Sequence, residues 1–330
     1  MLAPVMSFKS ATRAEYLGKT VSRSINRGSA LSSKVTTVLN EIRENLSVKS
    51  LKNFEQPTVE AYADYLKDRV EEGNISLRTA TDRISTLNTI TTKYLEKQKL
   101  FISAKEWHLS RGSQDYSDMS ISSEVHQQFS EYLQQQGTIQ AEALKYSIGL
   151  QRKLGLRARE SFSIKQTTIR KALKNNILHI NRDDGTKNSK PRDITIKIES
   201  QREILKNALN FMKEHKWKSL IKPTTTRLSH SGWAYRQVTK FREAINSNYN
   251  FHAERHSFAH EQYANTWKEQ AGIAVDCPVV YGGNNWISYA EEKTSLGEEE
   301  IEKIDKDIRE EISHELGHNR LEITNTYLGK

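Results

Sequence analysis

Residues 316–327 read LGHNRLEITNTY and form the most informative stretch of the chain. They close a helical pattern, because residues 299–316 place apolar side chains on one face at successive turns: Ile301, Ile304, Ile308, Ile312 and Leu316. His318 and Tyr327 follow, nine residues apart. A lone tyrosine in such a place is most often a packed or surface residue, so its meaning depends on the rest of the chain.

Two further polar motifs lie upstream. The sequence HAERHSFA begins at His252 and places Arg255 three residues later. The sequence GLRARE begins at Gly155 and contains Arg157 and Glu160. Guanidinium groups match the geometry of phosphate oxygens, and a phenol can serve as a nucleophile.

A hairpin with a long basic tip is predicted between these two motifs. Strand-like patterns at residues 177–180 and 194–196 flank a polar turn at 182–191. Lys187 lies in that turn, five residues before Arg192. Lys190 lies in the same turn, three residues after Lys187, and competes with it for any catalytic role.

In this order the motifs resemble those of the tyrosine recombinase (phage integrase) family. The resemblance implies a mainly α-helical fold with an N-terminal helical, SAM-like core-binding domain at residues 31–112. It implies an α-rich catalytic domain with a small antiparallel sheet at residues 122–330. The Arg255–His318 spacing is longer than is usual in the family, which places an acidic insertion at about residues 273–310. Residues 1–30 are expected to be a flexible basic arm.

The resemblance also implies an activity, site-specific integration or excision of DNA. Tyr327 would attack a DNA phosphate and form a 3′-phosphotyrosyl bond, which stores the energy of the cut strand. Arg157 and Arg255 would hold the non-bridging oxygens and stabilise the transition state.

The remaining roles follow from the same resemblance. Lys187 would protonate the departing 5′ oxygen. His252 and His318 would supply hydrogen bonds to the phosphate and assist proton transfer near the phenol. Glu160 would orient an arginine. The resemblance implies no metal and no cofactor, since fixed cations supply the positive charge.

The composition favours a polyanionic partner. The net charge is +9, and residues 213–242 hold eight basic residues against one acid. A solvated helix face is the alternative interpretation of this run, and its aromatic residues are expected in the core. The predicted DNA-binding residues are Lys190, Arg192, Lys216, Lys218, Lys222, Arg227, Arg236 and Lys240. The expected partner is double-stranded DNA with specific attachment sites, bound by a homotetramer that is monomeric when free.

Cysteine usage and hydropathy limit the remaining classes. Cys277 is the single cysteine, so neither an intramolecular disulfide nor a cysteine zinc cluster can form. No apolar run approaches the about 20 residues that span a bilayer, and no secretory signal is visible. A cytoplasmic protein is therefore expected.

A rival motif overlaps the tyrosine motif. The sequence His314-Glu315-Leu316-Gly317-His318 matches the HExxH pattern of zinc metallopeptidases, in which two histidines on one helix face bind zinc. The extended form of the motif is missing, because leucine and threonine occupy positions 321 and 324. Two further alternatives are a DNA-binding protein without catalysis and a topoisomerase that only nicks and reseals DNA.

Overall fold

The computed structural model describes residues 25–46, 48, 54–95, 97, 99–109, 116–184, 191–282, 284–318 and 321–330. The predicted catalytic Lys187, the predicted DNA-binding Lys190 and residues 1–24 of the predicted arm lie outside these ranges. The described residues divide into two compact units, one up to residue 109 and one from residue 116 onward.

The first unit is helical. It contains α1 (Ile25–Asn45), α2 (Gln56–Glu71) and α3 (Leu77–Thr89), and α3 continues into a π-helical turn, Ile90–Tyr94. Pro57 lies in the first turn of α2, where its missing N–H costs nothing, and the Ser76 hydroxyl caps α3 by accepting from the Thr79 backbone N–H at 3.2 Å. The core of this unit is formed by aliphatic and aromatic residues of these helices, among them Val35, Ile42, Tyr62, Leu66, Ile84 and Leu87, together with Phe54 just before α2.

The predicted arm requires a correction. It was expected to extend to residue 30, but α1 already begins at Ile25. A helix propagates at one hydrogen bond per added residue once a nucleus exists. The face that contains Val35, Val38 and Ile42 is anchored in the core, so the helix can extend upstream into a sequence with poor apolar periodicity.

The second unit contains eleven helices within the described residues. They are α4 (Ser123–Gln135), α5 (Ile139–Leu154), α6 (Ala158–Ser163), α7 (Gln166–Asn175), α8 (Glu199–Glu214), α9 (Arg227–Ile245), α10 (Phe251–Ala271), α11 (Pro278–Tyr281), α12 (Trp286–Thr294), α13 (Glu298–Glu315) and α14 (Leu321–Leu328). None of the described helices of the chain is long and apolar enough to cross a membrane.

The sheet of this unit is one antiparallel pair. Strand β1 (Ile177–Ile180) pairs with β2 (Arg192–Thr195), and Leu178 lies opposite Ile194. The strands alternate buried and exposed side chains, as expected for a sheet with one solvated face. The register directs the side chain of Arg192 to the buried face.

Helix α10 lies at the centre of this unit, in contact with α5, α13 and α14. Its buried residues Phe258, Tyr263 and Trp267 join a core that also includes Ile301, Ile308 and Ile312 from α13 and Leu316 directly after it. The predicted isoleucine face of α13 is therefore packed against α10. Most acidic side chains of α13 are exposed, which explains how a charged segment can still belong to the core: Glu298, Glu299, Glu300, Glu302, Asp307 and Glu310.

Candidate active site

The hydroxyl of Tyr327 lies between a guanidinium and an imidazole. Arg255 Nε donates to the hydroxyl oxygen at 3.2 Å, and His252 Nε2 lies 3.3 Å from the same oxygen. A guanidinium can only donate, so the phenol oxygen accepts from Arg255 and can direct its own proton to His252. A guanidinium donor and a neighbouring imidazole are the partners that a nucleophilic phenol requires.

Helix α10 presents both partners of the tyrosine. Asn250 caps the helix, because its side-chain oxygen accepts from the Ala253 backbone N–H at 2.9 Å. His252 and Arg255 are three residues apart and therefore share a helix face. Arg255 is fully buried, while His252 at the first turn is exposed. The exposed edge of the site is thus the edge that contains His252.

Three arginines gather at the C-terminal end of α13. Arg157 Nη2 and Arg255 Nη2 both donate to the Leu316 carbonyl, at 3.3 and 2.5 Å, and Arg192 Nε donates to the Glu315 carbonyl at 2.9 Å. The last carbonyls of a helix lack internal partners and form the negative end of its dipole. This helix end therefore brings together arginines from distant parts of the sequence.

Glu160 pairs with two of these arginines. Its carboxylate accepts two hydrogen bonds from Arg192, each 2.7 Å long, and one from Arg157 Nη1 at 2.9 Å. Burial alone raises the pKa of Glu160, but the hydrogen bonds and charge of Arg192, with the charges of Arg157 and Arg255, lower it to about 2. One carboxylate faces three guanidiniums, so a surplus of positive charge remains for an anion.

Replacing Glu160 with Gln should destabilise the protein in a pH-dependent way. A pKa lowered from 4.5 to about 2 corresponds to about 3 kcal/mol of stabilisation. The folded pKa lies below the unfolded one, so this stabilisation is complete above about pH 4.5 and is lost as the pH falls toward 2. Urea unfolding at pH 7 should show the full difference between wild type and variant, and the difference should shrink below pH 4.5.

The control for this prediction is Glu203→Gln, which changes an exposed carboxylate on α8. Its unfolding free energy should match that of the wild type at every pH. A Glu160→Gln variant that is as stable as the wild type at pH 7 would contradict the proposed pairing.

Gly155 connects the two arginine motifs. Its carbonyl accepts from Arg255 Nη1, and it ends α5 with a φ of +59°. A Cβ at this position would lie 2.5 Å from the Phe258 ring, so both the backbone angle and the space require glycine. Burial lowers the pKa of Arg255 to about 10, which leaves the guanidinium charged at neutral pH.

His318 reaches the site through a left-handed turn. Gly317, with a φ of +66°, ends α13, and the His318 backbone N–H donates to the Ser313 carbonyl at 2.8 Å in a Schellman arrangement. His318 Nε2 lies 3.4 Å from Arg255 Nη2, so Nε2 accepts and Nδ1 donates to the Thr324 hydroxyl at 3.1 Å. Burial, followed by the charge of Arg255, lowers the pKa of His318 to about 3 and keeps the imidazole neutral.

The same turn removes the basis for the zinc-peptidase alternative. Helix α13 ends at Glu315, so His314 and His318 do not share a helix face. Glu315 pairs with Lys197 at 3.1 Å, and His318 lies beside a cationic guanidinium. Among the described residues no group of three histidine, cysteine, aspartate or glutamate side chains could hold a metal ion.

Arg192 is a correction to the predicted DNA-binding set. Its side chain is buried and its guanidinium is occupied by Glu160 and the Glu315 carbonyl. The hydrogen bonds to a buried carboxylate are stronger than those to a solvated phosphate surface, so the arginine is held inside the protein. The other predicted DNA-binding residues that the structure describes are on the surface: Lys216, Lys218, Lys222, Arg236 and Lys240 are exposed and Arg227 is half-buried.

The aromatic residues among these basic residues divide between core and surface. Trp217 and Phe241 are buried, as expected for core residues, but Tyr235 is 54% exposed.

Two further histidines of α10 contact the tyrosine and were not predicted from the sequence. The His256 ring stacks on the Tyr327 ring with centroids 4.3 Å apart, and His260 Nε2 lies 2.6 Å from the Tyr327 carbonyl oxygen. Burial lowers the pKa of His256 to about 3. The four-residue spacing of His252, His256 and His260 is the signal in the sequence that indicates one face of one helix.

A family model described as Integrase matches residues 108–261. Over these residues, just under half of the chain, the sequence is similar to that of integrases. The matched stretch includes Arg157, His252 and Arg255 and ends before Tyr327. No curated protein matches the chain.

Solved integrase structures share the fold of this chain. The Tn1549 transposon integrase in complex with transposon right end DNA is 12% identical, covers 98% of this chain and 95% of its own, and has a TM-score of 0.56. A lambda integrase dimer bound to a COC′ core site is 14% identical, with 98% and 77% coverage and a TM-score of 0.57. XerH bound to difH is 17% identical, with 96% and 81% coverage and a TM-score of 0.54. The predicted fold class is confirmed.

Proposed function

We propose that this protein is a tyrosine recombinase that cuts and rejoins DNA at specific sites through a covalent bond between Tyr327 and a 3′ phosphate. The observation that supports this most strongly is the Tyr327 hydroxyl held by Arg255 at 3.2 Å and His252 at 3.3 Å. The surrounding cationic groups suit a phosphodiester, whose charge increases in the transition state.

The proposed step is balanced, because one phosphorus–oxygen bond forms as another breaks. The Tyr327 oxygen attacks the phosphorus and gives its proton to His252, so a phosphorus–oxygen bond forms to the tyrosine. The bond from phosphorus to the 5′ oxygen breaks, and the departing oxygen takes a proton from Lys187 to become a 5′ hydroxyl. A 5′ hydroxyl from a partner duplex then reverses the step and rejoins the strand, so neither a metal ion nor a nucleotide cofactor is required.

The arginines supply the electrostatic part of this proposal. Arg157 is partly exposed and donates to the same Leu316 carbonyl as Arg255, so the two guanidiniums lie close together at the end of α13. Arg157 would donate to a non-bridging oxygen. Arg255, whose donors contact the Tyr327 hydroxyl and the Gly155 and Leu316 carbonyls in the free protein, would exchange one of these contacts for the phosphate. Losing one such preorganised donor costs about 3–4 kcal/mol of transition-state stabilisation. His318 adds a neutral imidazole on the Arg255 side, and Glu160 holds Arg157 in place.

The partners in this proposal are double-stranded DNA and further copies of the chain. Among the similar structures is a lambda integrase tetramer bound to a Holliday junction, 14% identical and with a TM-score of 0.56. We propose two protomers at each site and four in the synapse for this chain too. The exposed basic residues of the 216–240 region would contact phosphates, and DNA as substrate leads us to propose a cytoplasmic location.

The test is covalent capture on DNA. Nicked duplexes that tile the DNA flanking the coding sequence of this protein are incubated with it in EDTA and separated by denaturing electrophoresis. We expect a species in which protein and DNA migrate together, because a nick lets the 5′ end diffuse away and traps the phosphotyrosyl bond. Tight binding of one duplex without any covalent species would instead support a DNA-binding protein without catalysis.

A further inference from the structure

The helix that contains the nucleophile is too short to hold its own position. Helix α14 has eight residues, and helices of this length are marginal without tertiary contacts. Thr324, Tyr327 and Leu328 are its buried residues. The place of the Tyr327 hydroxyl must therefore be set by the groups that hold α14.

The side chains of His260 and Arg309 reach the C-terminal end of α14. His260 contacts the Tyr327 carbonyl at 2.6 Å, and Arg309 Nη1 donates to the Gly329 carbonyl at 2.8 Å and to Asn325 Oδ1 at 2.9 Å. Carbonyls at this end of a helix lack internal partners and favour a nearby cation. Arg309 thus joins α13 to the last turn of α14.

Arg309 is itself held in place. Its Nε donates to Asp305 Oδ2 at 2.7 Å, and the Tyr263 hydroxyl donates to Asp305 Oδ1 at 2.5 Å. Arg309 is only 8% exposed, so its long side chain has a fixed path. The network connects α10, α13 and α14 without touching the Tyr327 hydroxyl.

Helix α11 contacts the same end of α14. Gly329, with a φ of +83°, lies so close that a Cβ there would come within 2.6 Å of the Val279 backbone nitrogen. Val279 and Arg309 both belong to the segment predicted as an insertion at about residues 273–310. That segment therefore holds the end of α14 at two places.

We propose that Arg309 is a positioning residue for the nucleophile, acting through Gly329 and Asn325 on the placement of the Tyr327 hydroxyl. The segment predicted as an insertion then positions the tyrosine within its own protomer. This proposal rests on the proposed function of Tyr327. A displacement of about 1 Å at a reacting atom can lower a rate by about 10²-fold, so a contact at the far end of α14 can control cleavage.

The test compares Arg309→Met and Arg309→Lys with Lys306→Met, which removes an exposed cation from the same helix. Single-turnover formation of the covalent species is measured at saturating nicked duplex, alongside DNA affinity. We expect Arg309→Met to lower the rate constant by about 10- to 100-fold with unchanged affinity. Arg309→Lys should recover part of the rate, since an ammonium can still donate to the Gly329 carbonyl, and Lys306→Met should behave as the wild type.

Hydrogen exchange provides a readout that a general structural role would not change. In free Arg309→Met, amides of residues 321–330 should exchange faster, while those of α10 keep their protection. A wild-type cleavage rate in Arg309→Met, or a loss of protection spread over the whole catalytic unit, would overturn the proposal. If the wild type forms no covalent species, the proposed function fails, and the exchange result still decides whether Arg309 holds α14.

Discussion

Tyr327→Phe is expected to abolish covalent attachment to DNA, with a loss of more than about 10³-fold. Phenylalanine keeps the ring that stacks on His256 and removes only the hydroxyl that contacts Arg255 and His252. DNA affinity should remain, because phosphate contacts come from cationic side chains. Denaturing electrophoresis measures the yield, and mass spectrometry of the wild-type adduct should locate the DNA on tryptic peptide 321–330.

The matched control is Tyr281→Phe, which removes a hydroxyl from a partly exposed tyrosine of α11. It should form the covalent species at the wild-type rate. An adduct that persists in Tyr327→Phe would mean that another residue is the nucleophile, and the assignment of the site would be wrong.

Arg255→Lys should lower the cleavage rate constant by about 10²- to 10³-fold at saturating DNA. Lysine keeps the positive charge but lacks the planar fork that serves the Gly155 carbonyl, the Leu316 carbonyl and the Tyr327 hydroxyl together. Each buried carbonyl left without a donor costs about 1–3 kcal/mol of stability. Single-turnover kinetics and urea unfolding measure the two effects separately.

Arg170→Lys serves as the control, because Arg170 is exposed on α7 and contacts only Gln166 among the hydrogen bonds of the described residues. It should leave cleavage and stability unchanged. Wild-type cleavage by Arg255→Lys would contradict the proposed role of the Arg255 guanidinium in cleavage.

The local pattern of the sequence is sufficient to predict the helices that have one apolar face. The isoleucines of α13 recur at helical spacing, and the structure buries Ile301, Ile308 and Ile312 against α10. The hairpin was also predictable, since the apolar pairs Leu178/Ile180 and Ile194/Ile196 each flank one polar residue, which is the period of a strand. Short helices such as α6 and α11 were missed, because fewer than two turns give no periodicity to detect.

The motifs identified the residues at the site but not what each one contacts. Arg192 was assigned to DNA because it is basic and follows a basic tip, whereas the structure pairs it with Glu160, 32 residues away. Nothing near Arg192 in the sequence indicates that partner. Its burial depends on β2 lying against the end of α13, which is a contact between distant segments.

The sequence by itself determined the residue types, their order and the helical faces, because side-chain chemistry and periodicity are local properties. Only the tertiary structure decided which groups share a charge environment. The Leu316 carbonyl accepts hydrogen bonds from Arg157, which is 159 residues upstream, and from Arg255, which is 61 residues upstream. The physical reason is the unpaired end of α13, whose carbonyls attract cations from whichever elements the core packs beside it.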